Sequence, residues 1–142
     1  MGRIVIQLLM AFLGALGFAL VFGMRKRYLF LASLGGLLAW AVYLTVEALL
    51  SVEFLSGLMA AAFAVLYAEL MARRLKTPAT LLVIPAIIPL VPGGSLYYTM
   101  ACVVRRDFAG ARSYGLQTAE FALAIAAGLS LVIALRDLRA RK

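Results

Sequence analysis

Each cluster of cations in this chain bounds a long apolar run, and that alternation constrains its fold more than any other feature. Arg25-Lys26-Arg27, Arg73-Arg74-Leu75-Lys76, Arg105-Arg106 with Arg112, and the stretch from Arg136 to Lys142 delimit five segments, approximately 4–24, 28–50, 54–72, 80–104 and 116–135. Each is near the roughly 20 residues with which a helix crosses about 30 Å of hydrocarbon. With 65% of the 142 residues hydrophobic and 14% charged, there is too little polar surface to cover a soluble core. The expected fold is therefore all-α: a polytopic bundle of about five transmembrane helices, one integral membrane domain over 1–142, surrounded by membrane lipid. The first run follows Arg3 as a signal peptide would. It lacks a small-residue cleavage site and is followed by three cations, so it reads as a retained span.

The net charge of +8 would suggest nucleic acid in a soluble protein. Here the cations flank spans, which accounts for them by topology and leaves no basic face for nucleic acid. Histidine is absent and Cys102 is the single cysteine. Metal sites of the His/Cys type, His-dependent triads and disulfide frameworks are thereby excluded, and no enzyme activity, catalytic residue, metal or cofactor is expected.

Five crossings place four Lys/Arg on the side of the N-terminus and ten on the other. The positive-inside bias then predicts an outside N-terminus and a cytoplasmic C-terminus. Segment 80–104 admits a second version, because Pro85, Pro89, Pro92, Gly93 and Gly94 could fold it into re-entrant arms that enter and leave on one face. The five-crossing version is preferred.

Small residues permit the close van der Waals contact through which helices associate in lipid. Ser56, Ala60, Ala64, Ala68 and Ala72 recur every four residues, as do Thr118, Ala122, Ala126, Ser130 and Ala134. Gly35 with Ala39, and Gly14 with Gly17, form shorter rows. These mark helix contacts or a subunit interface. A bundle this small has little interior in which to surround a solute, so a homo- or hetero-oligomer is expected.

The stretch 78–98 carries the chemistry. Proline removes the amide that would bond the carbonyl four residues earlier, which predicts unpaired carbonyls at Leu81, Pro85 and Ile88. Gly93 and Gly94 allow angles that break a helix. Such backbone must be buried in protein or line a wet cavity, and broken helices at membrane depth form transporter binding sites. Ser95 is read as the cap of a following half-helix whose free amides hold a carboxylate. Tyr97, Tyr98 and Thr99 add hydroxyls. Among the acids, Glu47 lies inside the second span and is the candidate for proton coupling. Glu53 and Glu120 read as interfacial. Glu69 with Arg73 and Asp137 with Arg141 have the spacing of helix-surface ion pairs. Trp40 reads as filling a helix interface.

The run Pro85-Ala86-Ile87-Ile88-Pro89-Leu90-Val91-Pro92-Gly93-Gly94, with Tyr97 after it and the lead-in Arg73-Arg74-Leu75-Lys76-Thr77-Pro78, resembles the threonine/serine exporter family. The similarity is to the family's C-terminal-half domain, which also occurs as a small separate membrane subunit. It extends over nearly the whole chain, including Gly17-Phe18, Phe22 and the turn at Arg25–Arg27. The resemblance implies a secondary exporter of small hydroxy amino acids such as threonine and serine, or of related small carboxylates, in the bacterial cytoplasmic (inner) membrane. It also implies a larger partner subunit, because fused members carry an N-terminal half that this chain lacks. Pro85, Pro89, Pro92, Gly93, Gly94 and Tyr97 match the motif and, with Ser95, are the substrate-binding candidates. The alternative is a non-transporting scaffold or assembly subunit of a larger transport protein.

Overall fold

The computed structural model describes residues 2–140, which are helical with no strand among them. Helix α1 spans Gly2–Val21, α2 Lys26–Leu50 and α3 Glu53–Leu75. The fourth apolar segment is divided into α4 (Thr80–Ile87), a 3-10 turn (Ile88–Leu90) and α5 (Gly93–Val104). Helix α6 covers Phe108–Ala140. Helices α1, α2, α3 and α6 are each long and apolar enough to cross a membrane, and the bent pair is so only when its two arms are taken together.

The last helix starts earlier than the sequence suggested. Its first residues fall in what reads as a loop over 105–112, but Asp107 Oδ1 accepts the Gly110 N–H at 3.0 Å and satisfies one of the free amides of a helix start. At 33 residues, α6 is about 50 Å long. Its N-terminal turns pack antiparallel to α5, with Tyr98 stacked on Tyr114 at 5.3 Å between ring centroids.

Small residues set the helix contacts, as expected for a bundle in lipid. The row Ser56, Ala60, Ala64, Ala68 and Ala72 is buried along α3. Two other rows face elsewhere than the sequence suggested. On α6 the packed positions are Phe121, Ala124, Gly128 and Val132, whereas Ala122, Ala126, Ser130 and Ala134 point outward. On α1 the packed row is Ala11, Ala15 and Ala19, while Gly14 and Gly17 are exposed. Gly36 marks the tightest crossing of α1 and α2: a Cβ there would lie 2.6 Å from Ala15 Cβ and 3.2 Å from Pro89 Cγ. Gly128 is equally constrained, since a Cβ on it would collide with the Leu58 carbonyl oxygen and lie 3.0 Å from Ala61 Cβ.

Helices α3 and α6 run parallel. From one end to the other, Glu53 meets Gln117, Gly57 meets Ala124, Gly128 meets Leu58 and Ala61, and Glu69 meets Arg136. The segment between them must return the chain from the end of α3 to the level at which α3 began. Arms inclined by 53° do so by continuing forward, whereas a re-entrant hairpin would leave α6 antiparallel to α3. The fourth segment thus runs the length of the bundle as a bent, continuous path.

The first arm is held firmly. Helix α4 packs on α2, α3 and α1, with Leu82, Pro85 and Ala86 buried. The second arm, α5, packs chiefly on α6 and has no buried residue.

Candidate functional site

The break itself is made by Val91 and Pro92. Val91 is extended (φ −62°, ψ 125°), and Pro92 at ψ 57° turns the chain into α5. Gly93 and Gly94 are therefore not the hinge that the sequence suggested. They are the first two residues of α5, both without positive φ. Ser95 is likewise not the cap, because it lies inside the first turn and Pro92 occupies the capping position without a side-chain bond. Its carbonyl accepts the Thr99 hydroxyl at 2.7 Å.

Proline at the cap leaves the start of α5 poorly satisfied. The Gly93 N–H bonds Val91 O at 2.7 Å and the Leu96 N–H bonds Pro92 O at 3.1 Å. Among the described residues, the Gly94 and Ser95 amides have no acceptor. The helix start thus presents two donors and a partial positive charge. Upstream, the Ile88 carbonyl is not orphaned, since the Val91 N–H bonds it at 3.1 Å through the 3-10 turn.

These amides open on a cleft of about 220 Å³. Pro89, Leu90 and the break from Val91 to Ser95 form one wall. Trp40 and Tyr43 of α2, Glu53 of α3, and Gln117 and Phe121 of α6 form the other. Trp40 stacks on Tyr43 with centroids 4.9 Å apart, and Tyr43 meets the Phe121 ring edge-on at 5.5 Å. The Trp40 indole N–H is buried and has no acceptor among the described residues. At the mouth, Gln117 Nε2 donates to both carboxylate oxygens of Glu53, at 3.2 and 3.1 Å. One acid, the tryptophan with the unpartnered indole and the open start of α5 consequently line the same cleft.

Of the residues singled out from sequence, Pro89, Pro92, Gly93, Gly94 and Ser95 line this cleft. Pro85 lies elsewhere, buried in α4 beside a different cavity with Met24 and Thr80. Tyr97 is 68% exposed and points away, its ring edge-on to Tyr98. Glu47 sits outside the cleft, where it accepts the Ser56 hydroxyl at 2.7 Å and ties the end of α2 to the start of α3. Glu69 pairs not with Arg73 but across to α6, with Arg136 at 3.2 Å. Asp137 pairs with the neighbouring Arg136 at 3.0 Å, and its expected partner Arg141 lies outside the described residues. Trp40, Tyr43, Glu53 and Gln117 were not read as site residues. Their one local signal was a tryptophan far from the ends of its span, where indoles usually anchor.

A multi-pass membrane protein in which a broken helix opens on a polar-edged cleft has the architecture of a membrane transporter. The model of the family described as threonine/serine exporter, ThrE, matches residues 7–135. The chain belongs to that family. No curated protein and no solved structure matches it.

Proposed function

We propose that this chain is the site-bearing subunit of a secondary transporter that exports small hydroxy amino acids such as threonine and serine, or related small carboxylates. Membership of the exporter family gives the class of solute. The observation that supports the assignment of the site is that Trp40, whose indole N–H is buried without a partner among the described residues, the open start of α5 and Glu53 all line one cleft. A zwitterion matches that arrangement. Its carboxylate accepts from the Gly94 and Ser95 amides and from the Trp40 indole, and its ammonium bonds Glu53. Charge recognition at the carboxylate then requires no buried Lys or Arg.

Helix α4 is packed among three helices and α5 leans on one. In this reading the bend between them is where the cleft changes shape as access alternates. Transport takes place in the bacterial inner membrane with the N-terminus outside, in an oligomer that includes a larger subunit of the same family. Proton coupling is assigned to Glu53, which borders the cleft, in preference to Glu47, which does not line it.

Efflux of labelled threonine from proteoliposomes tests this, with the chain alone and with the larger subunit added. Efflux in either preparation, abolished by Gly94→Leu in a protein that still assembles, is the expected result. Gly94 lines the cleft and no heavy atom lies within 4 Å of a Cβ added to it, so the leucine adds bulk at the cleft without disturbing the packing. Efflux unaffected by Gly94→Leu would instead make the chain a scaffold for a pathway located in its partner.

A further inference from the structure

A larger cavity, about 570 Å³, lies on the outside of the bundle between α3 and α6, toward the ends at which both helices finish. Its walls are apolar: Leu66 and Leu70 from α3, Val132 and Leu135 from α6. Val132 is the buried floor, while the three leucines are each more than half exposed along the sides. Glu69, Arg73 and Arg136 complete the lining.

The two cations differ in how far they are committed. Arg136 is held on both edges, by Glu69 Oε1 at 3.2 Å and by Asp137 Oδ1 at 3.0 Å. Arg73, in the last turn of α3, has no acidic partner among the described residues. A fixed ion pair therefore closes the groove on one side, and an uncompensated guanidinium stands at its edge. The groove faces outward from a membrane bundle, where acyl chains can reach its apolar walls. Basic recesses between membrane helices, near the headgroup level, select anionic lipids.

We infer that this groove is a binding site for an anionic phospholipid, with an acyl chain along Leu66, Leu70, Val132 and Leu135 and the phosphate on Arg73. The site is separate from the cleft at the helix break and does not depend on what that cleft transports.

Native mass spectrometry of the detergent-solubilised full chain, with equal additions of phosphatidylglycerol and phosphatidylcholine, measures the preference directly. The wild type is expected to retain phosphatidylglycerol about fivefold over phosphatidylcholine, the worth of one cation beside an anionic headgroup. Arg73→Gln should remove that preference, while Arg74→Gln in the same turn should keep it. Leu70→Trp should lower retention of phosphatidylglycerol with both arginines present, because the groove is narrowed. Circular dichroism verifies that each variant is folded. A preference that survives Arg73→Gln, retention unchanged in Leu70→Trp, or displacement of the lipid by equimolar inorganic phosphate would each overturn the assignment.

Discussion

Trp40 and Glu53 carry opposite halves of the proposed recognition, and the polar group of each can be deleted by a single substitution. Trp40→Phe keeps an aromatic ring beside Tyr43 and deletes the N–H together with part of the bulk of the indole. Glu53→Gln keeps the size of the side chain and deletes the charge. A hydrogen bond to a charged group contributes about 1.5–3 kcal/mol, so each change is expected to weaken threonine binding by roughly 10- to 100-fold. Equilibrium binding of labelled threonine to the solubilised protein, or to its complex with the larger subunit if binding requires it, measures both. Glu47→Gln is the control. Its carboxylate is engaged with Ser56, so binding should be unchanged, and a loss equal to that of Glu53→Gln would shift the site toward the α2–α3 turn. Glu53 and Gln117 could not be paired from the sequence, because they are far apart along the chain and meet only where α3 and α6 lie side by side. The prolines and glycines, by contrast, reveal the break through their own backbone chemistry.

At the level of the helices, the small-residue rows show what periodicity can and cannot decide. The row on α3 was legible because the residues between its members are mostly large, leaving one candidate face. On α6 small residues occur on two faces, Ala124 and Gly128 on one and Ala122, Ala126, Ser130 and Ala134 on the other. A lipid-facing surface is as apolar as a packed one, so hydropathy could not choose between them. The choice can be tested by adding one carbon. Gly128→Ala forces α3 and α6 apart against backbone and should cost about 1–3 kcal/mol, as overpacking does. Gly14→Ala meets no heavy atom within 4 Å and should leave stability unchanged or raise it. Thermal unfolding in detergent, followed by circular dichroism, compares the two; equal losses would mean that the packed faces are wrongly assigned.

For the molecule as a whole, the parallel course of α3 and α6 decides the path of the chain. The four unbroken spans were legible, since each is a local run of apolar residues between polar turns. The passage of the broken segment was not, because five crossings and a re-entrant loop both satisfy local hydropathy. Cysteine labelling in intact cells distinguishes them. With Cys102 replaced by alanine, single cysteines at Ser51 and Asp107 should be modified from one side of the membrane and one at Lys76 from the other. Labelling of Lys76→Cys and Asp107→Cys from the same side would restore the re-entrant loop.

The chain has a single tryptophan, and it lines the cleft, with its indole N–H buried and without an acceptor among the described residues. Emission excited at wavelengths that indole absorbs and the six tyrosines do not therefore originates at Trp40 alone. A solute carboxylate arriving at Trp40 changes the polarity around the only indole, so occupancy becomes an optical signal read without a radiolabel or an attached dye.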